Sequence, residues 1–134
     1  MYSLWRWALQ LSPAFFLTLF PLWMLSVVAL STIEGRSIPS VDIPHLDKIA
    51  HFGLFSAGGF CLARGLALAR RASFPWFAWL FCVATISALG GLDEWYQTLT
   101  PGRQGLDLGD WFADSLGGLF GVTLACWLPH PERD

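Results

Sequence analysis

The feature that most constrains this chain is a succession of long apolar runs separated by short polar connections. Four runs, from about Leu9 to Leu30, Ile49 to Leu68, Phe74 to Thr98 and Leu108 to Leu128, each reach the roughly 20 residues that a helix needs to cross a hydrocarbon core. Between them lie ordinary loop signals: Ser31 to Lys48 with Pro39 and Pro44, a basic turn at Arg70-Arg71, and Thr100-Pro101-Gly102-Arg103. Lipid offers no partner to backbone amides, so a run that crosses it satisfies them internally, as a helix. The expected fold is all-α, an integral membrane bundle of four transmembrane helices forming one domain over residues 1–134.

Composition points the same way. Only 13% of the residues are charged and 54% are hydrophobic, against about 25% charged in a soluble domain. In water, so little polar surface could not cover eight Trp and eleven Phe. The lipid bilayer is therefore the expected surrounding partner. A net charge of −2, with no basic run interleaved with aromatics, argues against nucleic acid. Cys61, Cys82 and Cys126 lie inside apolar runs without C-x-x-C spacing and read as core-filling residues. Pro13 and Pro21 fall in the first run and predict a kink. Arg6 and the Ala29-Leu30-Ser31 triplet also resemble parts of a secretory signal, but the run exceeds the ~7 to 15 residues of a signal core, which favours a retained anchor.

Basic residues set the expected orientation. Arg6, Arg64, Arg70, Arg71 and Arg133 fall on one side and Arg36, Lys48 and Arg103 on the other, a split of five to three. The positive-inside rule then puts both termini in the cytoplasm, with the Ser31–Lys48 loop and the Pro101 turn outside. Trp5, Trp7 and Trp127 would mark the inner interface, and Trp95, Tyr96 and Trp111 the outer one.

Three polar groups gather at that outer end. The first is Asp47-Lys48-x-x-His51, where Asp47 and His51 share a helix face with Leu54 and Gly58. Asp47 alone is also explained as a helix cap, whereas His51, a turn further in, is not. The second is Asp93-Glu94 with Gln97, near the C-terminal end of the third run. Acidic residues there oppose the helix dipole by roughly 0.3 to 1 kcal/mol, so capping cannot explain them. Ser87, Gly90, Gly91, Glu94 and Thr98 form a small-residue stripe, which predicts that Glu94 faces another helix closely. The third group is Arg103 followed by Asp107, Asp110 and Asp114, whose spacing lines one helix face that continues to Gly118 and Gly121. Asp107 can cap that helix and Asp110 can complement its dipole, but Asp114 lies almost two turns in. Lys48, Arg103, a protonated His51, a cation or bound protons would have to offset three like charges on one stripe.

These residues resemble the VanZ-like family of bacterial membrane proteins. The resemblance rests on Asp47-Lys48-x-x-His51, on Asp93-Glu94 followed by Gln97, on Pro101-Gly102-Arg103, and on Asp110 to Asp114 leading into Gly117-Gly118, and it covers roughly Leu46 to Gly121. It implies a helical protein of the bacterial cell envelope, in the plasma membrane, from a family named for a member that lowers sensitivity to the glycopeptide teicoplanin.

Two functional readings follow. In the first, the chain acts on a lipid-linked or glycan envelope component near the outer leaflet. His51 would serve as acid or base, two or more of Asp93, Glu94, Asp110 and Asp114 as base partners or ligands of a divalent metal, and Arg103 as an anion clamp. Asp47, Lys48, Gln97 and Asp107 complete the expected substrate-binding set. No H-E-x-x-H spacing singles out zinc. In the second, the cluster is non-catalytic and packs the helices or captures a head group or partner. Transport is disfavoured, because the ionisable residues crowd one end and no continuous polar path is visible.

Overall fold

The computed structural model describes residues 11–35, 44–70 and 74–129. These form four helices, α1 (Pro13–Ser31), α2 (Leu46–Ala69), α3 (Trp76–Gln97) and α4 (Leu108–Trp127). Helix α1 starts at Ser12, whose side chain accepts the Phe15 N–H, with Pro13 in the first turn, where a missing N–H costs nothing. Pro13 therefore begins the helix and does not kink it, while Pro21 lies inside it. Helices α1, α2 and α3 are long and apolar enough to cross a membrane. Their bounds follow the apolar runs to within a few residues. The expected anchors and charges at Trp5, Arg6, Trp7, Arg36, Arg71 and Arg133 lie outside the described residues.

Contacts establish an up-and-down arrangement. At one end Ser31, the last residue of α1, meets Asp93 near the end of α3, and Lys48, at the start of α2, reaches Asp107 and Asp110 at the start of α4. The chain after α1 joins the turn after α3 there, through Gly35 N–H to Pro101 O at 3.1 Å and Thr100 Oγ1 to Ser31 O at 2.9 Å. At the other end, the Arg64 guanidinium, buried although it sits in an apolar run, donates to the carbonyls of Leu128 and Pro129. Arg64 thus satisfies carbonyls past the end of α4 and does not present its charge in a loop.

Helices α2 and α4 run parallel and share the most extensive interface. Glycines make it close. A Cβ on Gly117 would strike the Phe52 carbonyl, one on Gly121 the Ser56 carbonyl, and one on Gly59 would lie 2.8 Å from the Gly118 oxygen. Where lipid removes the hydrophobic drive between helices, small residues of this kind let backbones approach. Phe55, Ala63, Cys82, Ile86, Val122 and Ala125 fill the core without exposure. The three cysteines are free.

Candidate functional site

The tight α2–α4 seam fixes what its polar residues can reach. His51 lies one turn before Phe55 and stacks parallel to it, with centroids 6.3 Å apart, and its ring reaches α4. There His51 Nδ1 lies 2.9 Å from Asp114 Oδ1. Asp114 is fully buried, and its Oδ2 has no hydrogen-bond partner among the described residues. The wall behind it is Gly90 of α3, where a Cβ would come within 2.8 Å of that oxygen. Asp114 therefore requires glycine opposite it, and the expected small-residue stripe of α3 supplies one. Ser87 on the same stripe shares a 2.8 Å hydrogen bond with Ser115.

Glu94 is 2% exposed and faces the connection leading into α4. Its Oε2 accepts the Asp107 N–H at 2.8 Å, and its backbone carbonyl accepts the Leu106 N–H at 3.1 Å. The loop before α4 is folded onto the end of α3 to make these bonds. Doing so holds Leu106 at a φ of 59°, a left-handed conformation that costs a residue with a side chain of order 1–3 kcal/mol. Gly105 beside it could carry no Cβ, which would come within 2.6 Å of the Glu94 carbonyl. Asp93, at 8% exposure, accepts from Ser31 Oγ on one oxygen and from Gln97 Nε2, at 2.9 Å, on the other. The two carboxylates set against the α3 dipole thus do have partners, from α1, from α3 itself and from the loop into α4.

Lys48 forms the second half of the cluster. Its ammonium lies 2.9 Å from Asp110, 3.1 Å from Asp47 and 3.3 Å from Asp107. Asp107 is the N-cap of α4, accepting the Gly109 N–H at 2.7 Å. That bond first, and Lys48 second, hold its carboxyl below the usual carboxylate range.

Two expectations are corrected. Asp47 neither caps α2 nor points with His51 into the site: the N-cap position is His45, with φ of 59° and no side-chain cap, and the Asp47 side chain is 58% exposed beside Lys48. Four residues rise about 6 Å along a helix, which carries His51 under α4 and leaves Asp47 at the rim. The other is Arg103 as an ion-pair partner of the α4 carboxylates, the alternative to an anion clamp. Among the described residues it makes no ion pair with any carboxylate, and its Nε is buried without a partner.

Two further residues contribute to the bundle ends. Ser31 closes an apolar run and read only as the start of a loop; nothing local marks it as a partner of Asp93. Arg64 did carry a signal, since an arginine inside an apolar run needs buried acceptors.

Beside the cluster is an apolar cavity of about 240 Å³ between α1, α2 and α3, lined by Trp23, Val27, Phe55, Leu89, Asp93 and Tyr96 among others. Asp93 is its acidic residue and also belongs to the cluster, while Phe55 backs His51. One end of the bundle thus joins a buried carboxylate–imidazole group to an apolar cleft. No family model, curated protein or solved structure matches this chain.

Proposed function

We propose that the chain is a VanZ-like protein of the bacterial plasma membrane, crossing it four times with both termini in the cytoplasm. Its polar cluster takes the head group of a lipid-linked or glycan envelope component at the outer face and so modifies sensitivity to teicoplanin-type glycopeptides. The observation that carries this reading is the meeting of the cleft and the cluster at Asp93. A ligand with a hydrocarbon chain and a polar head has the same division, and binding sites are commonly apolar with a few convergent polar groups. The volume of 240 Å³ exceeds the roughly 150 Å³ of an apolar cavity that holds a benzene.

The fourth crossing is supported by the outward face of α4, where Phe112, Leu116, Phe120 and Leu124 are exposed while its only charged residues, Asp110 and Asp114, are buried. The orientation rests on Arg6, Arg70, Arg71 and Arg133 against Arg36, Lys48 and Arg103, since Arg64 is committed to the carbonyls of Leu128 and Pro129.

A second reading, a packing network without a ligand, is favoured by one observation. Ser31–Asp93, Glu94–Asp107 and His51–Asp114 each tie different elements together. The variants Asp93→Asn and His51→Ala separate the two. The ligand reading expects near-normal membrane abundance and thermal stability with loss of the glycopeptide phenotype; disappearance of either variant from the membrane supports the packing reading instead. A cysteine substituted for Ser40 should react with an impermeant thiol reagent in intact cells, and resistance would invert the orientation.

A further inference from the structure

The polar groups at the cluster end fall into two sets by what satisfies them. Lys48 answers Asp47, Asp107 and Asp110, and Asp93 has both oxygens filled by Ser31 and Gln97. Glu94 has Oε2 on the Asp107 N–H and Oε1 3.5 Å from Gln97 Nε2, so Asp114 remains, paired among the described residues with His51 alone. An ionised carboxylate accepts on both oxygens, and buried polar atoms are nearly always met. Asp114 departs from this: it is 0% exposed, and Oδ2 is unpartnered and directed at the Gly90 wall, one turn of α3 before Glu94.

His51, Glu94 and Asp114 each offer a ligand atom, and all three atoms lie within 4.8 Å of one another. Ligand bonds of about 2.0–2.2 Å to a single ion give ligand separations of roughly 2.8 to 4.4 Å, within this limit. The 2.9 Å between His51 Nδ1 and Asp114 Oδ1 is close to that of two ligands about 2.1 Å from one ion at a right angle.

We infer that His51, Glu94 and Asp114 form a site for one divalent transition-metal ion of the zinc or manganese class, with the Asp114 carboxylate as a ligand. Two carboxylates and a dication are neutral together, which suits a site shielded from water on three sides by helices. One imidazole among the oxygens favours these ions over calcium or magnesium, which prefer oxygen alone. Three protein ligands leave a position open, as in metal sites that meet a substrate and unlike closed structural ones. The inference deepens the head-group reading by naming what would meet a phosphate or hydroxyl oxygen there.

The test uses the full-length protein in detergent, stripped with a chelator and titrated with zinc sulfate, manganese chloride or magnesium chloride alone. Bound ions are counted by equilibrium dialysis with elemental analysis, and manganese also by its paramagnetic resonance signal. A single zinc or manganese ion should bind per chain, more tightly than magnesium, and raise the unfolding temperature reversibly with chelator. Glu94→Gln, Asp114→Asn and His51→Gln should each weaken binding by at least about tenfold, while Asp47→Asn, at the exposed rim, leaves it unchanged. Failure of the unmodified protein to retain either ion, or retention that survives all three site variants, overturns the inference. Because the readout needs no envelope component, its failure leaves the head-group reading intact. Loss of that reading would instead appear as a normal glycopeptide phenotype in the Asp93 variant.

Discussion

Alanine placed at two glycines of neighbouring helices should change stability in opposite directions. At Gly117 the new Cβ would collide with the Phe52 carbonyl oxygen and lie 3.0 Å from both the carbonyl carbon and the Cα of Phe52. All three are backbone atoms, so α2 and α4 must part by several tenths of an ångström. Overpacking costs about 1–3 kcal/mol, and a backbone collision belongs at the upper end. Alanine regains about 1 kcal/mol over glycine in a helix interior, leaving Gly117→Ala destabilised by about 2 kcal/mol. At Gly53, a Cβ would meet nothing within 4 Å, so Gly53→Ala keeps only the gain of roughly 0.5–1 kcal/mol. Thermal unfolding in one detergent, with unmodified protein alongside, measures both. Since Phe52 follows His51 and Gly117 lies one turn after Asp114, parting the helices there also separates His51 from Asp114, and Gly117→Ala should lose the proposed envelope function. A Gly117→Ala protein as stable as the parent, or a Gly53→Ala protein less stable than it, would refute the seam as the feature that positions the site.

Two further outcomes are expected. Arg64→Met removes donors lying 3.1 Å from the Leu128 carbonyl and 2.9 Å from that of Pro129, and hydrogen bonds to a charged group contribute about 1.5–3 kcal/mol. Arg64→Lys should recover only part of this, because an ammonium cannot fork across two carbonyls as a guanidinium does; denaturant titration of the two variants checks it, and a Met variant equal to the parent counts against the assignment. Asp107→Ala should cost about 0.5–2 kcal/mol as a lost cap. The Gly109 N–H and then Lys48 lower the Asp107 pKa in the folded state, so the contribution is fully present above the unfolded value of about 3.9 and lost as pH falls through the lower folded value. Unfolding temperatures of both proteins should thus differ by a constant amount near neutrality and converge only in strong acid; convergence near pH 6 would show that another group is responsible.

How far the site was legible depends on whether its cause was local. Asp93 and Glu94 stood out because an acid at a helix C-terminus is disfavoured wherever that helix packs, and the stripe of Ser87, Gly90 and Glu94 announced a close neighbour by residue size alone. Asp107 as a cap was equally legible, since a cap is satisfied by its own next residues. The choice between Lys48, His51 and Arg103 as partners of the α4 carboxylates was not. Lys48 meets Asp107 and Asp110, His51 meets Asp114, and Arg103 meets none of them. Asp47 and His51 shared a helix face in projection, but depth along α2 put only His51 beneath α4.

The sequence by itself determined that the chain is helical and apolar enough for a membrane, that its helices break at the Pro-rich and basic connections, and that its acidic residues concentrate at one end. Length, hydropathy and capping act within one segment, so one segment suffices to read them. Tertiary structure alone decided that Ser31 closes on Asp93, that Gly90 makes room for Asp114, and that Asp114 keeps an oxygen unmet beside His51 and Glu94. Each depends on the rotation and depth of one helix against another, which glycines far apart in the chain set jointly.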